Sequence, residues 1–185
     1  MLERAIERNL RIRILNRSAA PGDLSLVLTP TNSQSGQQAK GFTLSRGQEE
    51  AEASLPTGTY VALAYAASGH SATSGAIQVI EGRPATIELQ LEKGATLSLT
   101  MVRAQEQTAR TLEDLQFDWW DGIRNGWTEL TFLEKTAASA PAGSTERKLQ
   151  VPVPAGRIRV RRGKAVLREI TCASSENLDL GRLTD

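Results

Sequence analysis

Apolar and polar residues alternate along most of the chain, with the period of two that is typical of half-buried β-strands. In the first such run, Leu10, Ile12 and Ile14 are separated by Arg11 and Arg13. Further runs follow at short intervals and are closed by turns rich in glycine, proline, serine or asparagine. In the first half they cover residues 24–28, 51–55, 60–65, 77–80 and 87–91. Strand-sized runs at these intervals favour a β-sandwich over alternating strands and helices.

The second half of the chain repeats this order of runs. Leu97, Leu99 and Met101 correspond to the first run, and residues 127–133 correspond to the second. The later runs cover residues 149–153, 158–160, 166–172 and 178–180. The repetition predicts an all-β protein of two tandem antiparallel sandwich modules, of the Ig-like or prealbumin-like type. We expect the first module at residues 1–94 and the second at residues 95–185.

The best internal match is a Pro-x-Gly turn before a strand, Pro56-Thr57-Gly58 in the first module and Pro154-Ala155-Gly156 in the second. Proline holds φ near about −65°, and glycine accepts the positive φ of a type II turn. Both Gly58 and Gly156 are therefore predicted to have positive φ.

Three segments do not follow the strand pattern. Residues 1–9 are predicted to be a short N-terminal extension, in which Leu2 and Ile6 have helical spacing but too little length to hold a helix alone. Residues 31–40 and 135–146 are small, polar and without a period, which is typical of surface loops.

The first module resembles a known family. Residues 55–70, then Ile77-Gln-Val-Ile-Glu-Gly and Ile87-Glu-Leu-Gln-Leu, are similar to the carboxypeptidase regulatory-like modules. The resemblance covers residues 52–91, and more loosely residues 149–183. It implies a prealbumin (transthyretin-like) sandwich and a non-enzymatic module of secreted, periplasmic or surface proteins. His70 stands where that family often has tyrosine.

Composition narrows the classes of function. Lys and Arg number 22 and Asp and Glu 21, so the net charge is +1, without the basic excess of nucleic-acid binding proteins. No apolar stretch is long enough to cross a bilayer, so we expect no membrane insertion in this segment. With one cysteine and one histidine, neither a disulfide, a multi-ligand zinc site nor a cofactor is predicted.

His70 and Cys172 are the two side chains that could in principle perform catalysis. His70 lies in a Ser-Gly-His-Ser turn, and Cys172 ends an apolar run with no histidine near it in sequence. A turn histidine and a buried thiol of ordinary reactivity are the simpler interpretation. We therefore expect no enzymatic activity.

All three tryptophans lie in residues 112–127, together with several carboxylates. Asp-Gly and Asn-Gly pairs predict a hairpin over residues 116–133, added to the second module. The candidate ligand-binding residues are Trp119, Trp120, Trp127, Asp118 and Asp121, because indole rings stack on sugars and carboxylates accept hydrogen bonds from sugar hydroxyl groups. The alternative is that Trp119 and Trp127 fill an aromatic-poor core while Trp120 covers an edge or a junction between modules.

A second candidate surface is basic. Arg157, Arg159 and Arg161 alternate along one strand and should share a face. They could meet an anionic partner, or they could be a solvated face that discourages edge-to-edge aggregation.

The favoured function is a non-enzymatic tandem module that makes protein–protein contacts, or acts as a spacer, within a larger bacterial envelope or surface protein. An extracytoplasmic location is favoured accordingly. The alternative function is a carbohydrate-binding module that uses residues 117–127.

Overall fold

The computed structural model describes residues 9–32, 38–102, 114–131, 133–137 and 146–182. The first eight residues of the predicted N-terminal extension and the central residues of both predicted loops (33–37 and 138–145) lie outside the described residues. The first two residues of the tryptophan-containing segment (112 and 113) lie outside them as well. By the density of internal contacts the chain divides into two compact units. The first comprises Met1–Ala66 and Ser71–Glu92, and the second comprises Ala67–His70 and Lys93–Asp185.

The first unit is a sandwich of two β-sheets. Its strands are β1 (Leu10–Leu15), β2 (Leu24–Pro30), β3 (Lys40–Leu44), β4 (Glu50–Ala53), β5 (Gly58–Ala66), β6 (Ser71–Thr73), β7 (Ile77–Val79) and β8 (Ala85–Gln90). One sheet has the order β4-β1-β8, and the other has the order β3-β2-β5-β6, with β7 also paired to β5. A 3-10 turn at Arg17–Ala19 follows β1.

Alternation along β1 decides which of its side chains face the core of the first unit. Leu10, Ile12 and Ile14 are buried, whereas Arg11 and Arg13 on the opposite face pair with Glu50 and Glu88. β5 is different, because residues 60–66 are all buried and its apolar run is continuous. A strand in the middle of a sheet can be covered on both faces, and such strands lose the polar alternation.

The second unit is also a sandwich. Its strands are β9 (Ala95–Val102), β10 (Leu115–Asp121), β11 (Gly126–Glu129), β12 (Thr136–Ala137), β13 (Glu146–Val153), β14 (Gly156–Arg162), β15 (Ala165–Cys172) and β16 (Asn177–Arg182). The two sheets have the orders β12-β13-β9-β16 and β11-β10-β14-β15. Its core is mostly aliphatic, with Leu97, Leu99, Val151, Ile158 and Val160 buried together with Phe117.

The two units share a pattern of strand pairing. β1 pairs with β4 in antiparallel and with β8 in parallel orientation, and β9 pairs in the same way with β13 and β16. β5 lies between β2 and β6, and β14 lies between β10 and β15. The all-β sandwich architecture is as predicted. The parallel pairs were not predicted, since alternation indicates a strand but not the direction of its neighbour.

One predicted correspondence is wrong. β10 pairs with β14 as β2 pairs with β5, so Leu115–Asp121 is the counterpart of the second strand, and residues 127–133 are not. The predicted hairpin exists, with Trp120 opposite Trp127 and Asp118 opposite Glu129. Its first strand lies inside the sheet rather than being added to it. At the inward positions of β10, Leu115, Phe117 and Trp119 are followed by Asp121, so the apolar alternation ends at the hairpin turn.

The two Pro-x-Gly turns differ in backbone conformation. Gly156 has a φ of +119°, as predicted, but Gly58 is not among the glycines with positive φ, so that prediction is wrong. In the first unit the Tyr60 hydroxyl donates to the Pro56 carbonyl at 2.9 Å, and this hydrogen bond ties the turn to the start of β5. The side chain thus holds the turn without a left-handed residue.

Candidate functional site

The candidate site lies on the outer face of the sheet β11-β10-β14-β15 in the second unit. In β10, Leu115 and Phe117 are buried in the core, so the alternating residues Gln116, Asp118 and Trp120 point to the opposite face. In β14, Ile158 and Val160 are buried. Their neighbours Arg157, Arg159 and Arg161 therefore lie on the same outer face as Asp118 and Trp120.

Strand register brings the two sequence-predicted surfaces together. Asp118 is opposite Arg159 on one side and Glu129 on the other, and Arg159 is in turn opposite Glu169 of β15. We call the resulting surface the Trp–Arg face. Its members are Gln116, Asp118, Trp120, Trp127, Glu129, Arg157, Arg159, Arg161 and Glu169.

The indole rings of Trp120 and Trp127 pack edge to face, with ring centroids 5.1 Å apart and planes at 65°. The Arg157 guanidinium lies 5.3 Å from the centroid of each ring, and that of Arg159 lies 4.5 Å from the centroid of Trp127. These distances are within the range of cation–π attraction. Both indole side chains are half-buried. The four side chains therefore form one packed cluster on the sheet surface.

Asp118 is the central charged residue of the face. It is only 2% exposed, although it points away from the core, because the larger side chains around it exclude water. Arg159 Nε and Arg161 Nε donate to its Oδ2 at 2.8 and 2.9 Å. The bond to Asp118 raises the pKa of Arg161 above its ordinary value. A carboxylate shared by two arginines fixes both guanidinium groups in place.

The remaining charges on the face are also paired. Arg161 Nη2 lies 2.9 Å from Glu129, and Arg157 Nη2 lies 2.6 Å from Glu169. Glu129, Glu169 and Arg157 are exposed enough to water for each pair to contribute at most about 1 kcal/mol. Three arginines are thus matched by three carboxylates. This balance does not favour the anionic partner, one of the two alternatives that the arginine pattern leaves open.

Trp119 and Asp121 do not join this face. Trp119 is half-buried on the opposite side of β10, and its Nε1 donates to the Ala155 carbonyl at 3.1 Å in the Pro-x-Gly turn of the second unit. The Asp121 carboxylate accepts the backbone N–H groups of Ile123 and Arg124 at 2.9 and 3.2 Å. Both side chains hold turns, so of the five predicted ligand-binding residues only Asp118, Trp120 and Trp127 lie together.

The structure also changes the expected role of Trp127. Its interpretation as a core residue is wrong, because it is opposite Trp120 and contacts arginines of the outer face. Trp119 and Trp120 lie on opposite faces, as the period of two requires. A flat platform of coplanar rings is not formed, since Trp120 and Trp127 meet at 65°.

His70 and Cys172 both lie in protected surroundings. Burial, with a smaller contribution from the charge of Lys93, lowers the pKa of His70 below its ordinary value, and its Nδ1 is 3.1 Å from the Ser68 hydroxyl. Burial, together with the charge of Glu176, raises the pKa of the Cys172 thiol to about 11. The thiol is therefore protonated at neutral pH and a poor nucleophile.

Within the described ranges, no three His, Cys, Asp or Glu side chains are grouped so that they could hold a metal ion. The same residues include no helix of the length and apolar character needed to cross a membrane.

Sequence reasoning missed Glu129 and Glu169, although they decide the charge of the face. Their positions in the chain carry no signal of this role, because they are 11 and 51 residues from Asp118 and only strand pairing brings all three to one face. The alternation of arginines with apolar residues along β14 was the signal in the sequence for this face. It predicted the arginines but not their partners.

Comparison with known proteins finds structural likeness only at low similarity. No family model matches the chain. No curated protein matches it either. The chain is similar to the fimbrial anchor protein Mfa2 of Porphyromonas gingivalis, with 7% identity, coverage of 93% of this chain and 89% of that chain, and a TM-score of 0.37.

Two further structures are similar to the same degree. GBS52, the minor pilin of Streptococcus agalactiae, has 13% identity, coverage of 95% and 96%, and a TM-score of 0.35. The Bacillus anthracis TIE protein has 16% identity, coverage of 94% of this chain and 34% of that chain, and a TM-score of 0.34. TM-scores below 0.5 are too low to assign a shared function. The resemblance to carboxypeptidase regulatory-like modules stays a prediction.

Proposed function

We propose that the chain is a non-enzymatic β-sandwich protein that makes protein–protein contacts through the Trp–Arg face. The observation that carries this proposal is the packed cluster of Trp120, Trp127, Arg157 and Arg159 on an outer sheet surface. Tryptophan and arginine are the residues most enriched among those that dominate the energy of protein interfaces. An ordinary solvated sheet face would carry small polar or flexible charged residues instead.

The side chains of the face are already held in one arrangement before any partner arrives. Asp118 fixes Arg159 and Arg161, while the indole rings pack against each other and against the guanidinium groups. Ordering a long side chain at an interface costs about 0.5–1.5 kcal/mol, and this cost is reduced when the side chain is ordered in the free protein. The face is therefore suited to binding.

The geometry favours a protein partner over a carbohydrate. A sugar ring stacks on a free indole face, but Arg157 and Arg159 lie over the ring of Trp127 and Arg157 also lies over Trp120. Carbohydrate binding stays the second candidate function, and it predicts binding on a glycan array that is lost in Trp120→Ala.

The same proposal holds that the chain has no enzymatic activity. The groups that could act in a reaction are committed to structure: Cys172 is a buried thiol, Asp121 holds a turn and Asp118 holds two arginines. We further propose that the protein acts outside the cytoplasm as part of a bacterial surface or envelope assembly, as the resemblance to carboxypeptidase regulatory-like modules implies.

The contact is tested by site-specific photo-crosslinking. Thr171 is exposed on β15, opposite Arg157, and Thr86 is exposed on β8 of the first unit. Benzoylphenylalanine is placed at either position, and cells that produce the protein are irradiated. We expect a discrete covalent adduct with another protein from Thr171, none from Thr86, and loss of the adduct when Trp120→Ala and Arg157→Ala are added.

Circular dichroism checks that the substituted chains remain folded. Equal adduct patterns from both positions, or no adduct from Thr171, would refute the proposed contact face.

A further inference from the structure

We propose that the Trp–Arg face accepts an uncharged, apolar-rich protein surface, and that Asp118, Glu129 and Glu169 are the residues that determine this preference. The inference rests on the proposed function and names the chemistry of the partner. A row of arginines on a sheet face is ordinarily expected to attract anions. Here the neighbouring strands supply one carboxylate for each arginine.

The strongest of these pairings is the one in the centre. Asp118 is almost fully buried and accepts from Arg159 and Arg161, with the charge pairs at 2.7 and 2.9 Å. An incoming phosphate, sulfate or carboxylate would have to displace a carboxylate that water does not reach. A paired charge in such surroundings is held by its partners, and breaking the pair leaves a buried charge uncompensated.

The two outer carboxylates complete the balance at the edges of the face. Glu129 on β11 binds Arg161, and Glu169 on β15 binds Arg157. The arginines of β14 lie between the carboxylates of β10 and β11 on one side and that of β15 on the other. The positive and negative charges of the face therefore cancel each other's field within a short distance. A strongly charged partner of either sign therefore gains little long-range attraction from this surface.

Apolar groups supply the attraction in place of charge. Trp120 and Trp127 are partly exposed, and Ile123, in the turn of the same hairpin, is 51% exposed. The flanking guanidinium groups are flat, with weakly hydrated faces that pack well against apolar and aromatic side chains. A complementary partner surface presents apolar side chains to the indoles and backbone or amide carbonyls to the remaining N–H groups of Arg157.

The first test uses heparin as a polyanion probe on the purified full chain. We expect the unmodified protein to elute from a heparin column at low salt, with no change in Arg157→Ala. The double variant Glu129→Gln/Glu169→Gln should elute at clearly higher salt, because it releases Arg157 and part of Arg161. Folded Asp118→Asn protein should also elute at higher salt than the unmodified protein.

The matched control has the same change in net charge without releasing an arginine of the face. Glu81→Gln/Glu134→Gln removes two exposed carboxylates for which the described residues show no ion pair. We expect a much smaller shift in elution than for Glu129→Gln/Glu169→Gln. Equal shifts, or tight heparin binding by the unmodified protein that depends on Arg157, would overturn the inference.

The second test measures how salt affects the photo-crosslink from Thr171. An apolar contact should give a similar adduct yield from about 0.05 M to about 0.5 M salt, a range over which the Debye length falls severalfold. A steep loss of yield would show a charged partner and overturn this inference while leaving the proposed function standing. Absence of the adduct at every salt concentration would overturn the proposed function itself.

Discussion

At the scale of the residue, buried charged side chains in this protein are held by specific hydrogen-bond and ion-pair partners. Arg17 is 4% exposed in the first unit and donates to the carbonyls of Ala20, Gly22, Ser45 and Gln48, so it joins the turn after β1 to the turn before β4. Asp118 has the opposite charge and the same kind of role in the second unit. Each satisfies the rule that a buried charge is tolerated only when it is paired or hydrogen-bonded.

Cys172 gives a prediction at the scale of one residue. Its pKa rises from 9.0 to about 11 on folding, because burial disfavours the thiolate. The native protein should therefore react very slowly with a thiol reagent at about pH 8, and the denatured protein should react rapidly. Fast modification of the native chain, at the rate of the denatured chain, would contradict the assigned burial.

The same shift sets a pH dependence for stability. Above about pH 9 the unfolded thiol loses its proton while the folded thiol keeps it, so the folded state binds more protons and stability falls as pH rises towards about 11. Denaturant titrations on either side of this window measure the loss. The loss should be smaller in Cys172→Ala, which retains only the contribution of other groups such as Tyr60, whose pKa burial also raises.

At the scale of the element, the two Pro-x-Gly turns are held by different side chains. In the first unit the hydroxyl of Tyr60, in the strand that follows the turn, binds Pro56. In the second unit Ile158 stands at the matching position and has no polar group, and the indole of Trp119 from β10 binds Ala155 instead. The turn with positive φ is the one that the tryptophan covers.

Gly156 gives the prediction at this scale. A Cβ at this position would lie 2.9 Å from Trp119 Nε1, and the φ of +119° is unfavourable for any other residue. Gly156→Ala should cost more than about 2 kcal/mol of unfolding free energy, from backbone strain and displacement of the indole. Urea denaturation measures the difference.

Gly122→Ala is the matched control, because a Cβ there would meet nothing within 4 Å. It should change the free energy of unfolding by no more than about 0.5 kcal/mol. Equal costs for the two substitutions would show that the close approach of Trp119 to Gly156 has no energetic consequence.

At the scale of the whole molecule, each unit has its own set of buried apolar residues. The core cluster of the first unit runs from Leu10 to Leu91, and the buried residues of the second include Leu97, Phe117 and Ile158. Both tyrosines, Tyr60 and Tyr65, lie in the first unit, and all three tryptophans lie in the second. Tryptophan fluorescence therefore reports on the second unit alone.

We expect the two units to respond separately to core substitutions. Leu26→Ala and Ile158→Ala each remove a fully buried side chain and should cost about 2–5 kcal/mol in their own unit. Ile158→Ala should shift the unfolding transition seen by tryptophan fluorescence. Leu26→Ala should leave it in place while increasing hydrogen exchange in β5. Identical shifts from both variants would show a single cooperative body instead.

The sequence by itself determined the all-β class, the sandwich architecture, the main hairpin and the face to which most strand residues point. These follow from local alternation and turn chemistry, because a period of two assigns each side chain to one side of its own strand. Alternation therefore predicted correctly that Arg157, Arg159 and Arg161 share a face. The same period of two places Trp119 and Trp120 on opposite faces.

Only the tertiary structure decided which of these faces meet. Asp118 and Arg159 are 41 residues apart, and the hydrogen bond between them depends on the pairing and register of β10 and β14. A shift of one residue in that register would send Asp118 to the core and Trp119 to the surface. The tryptophan segment and the arginine strand were separate candidates in the sequence, and long-range strand pairing brings them together in one face. The carboxylates on the neighbouring strands then decide the net charge of that face.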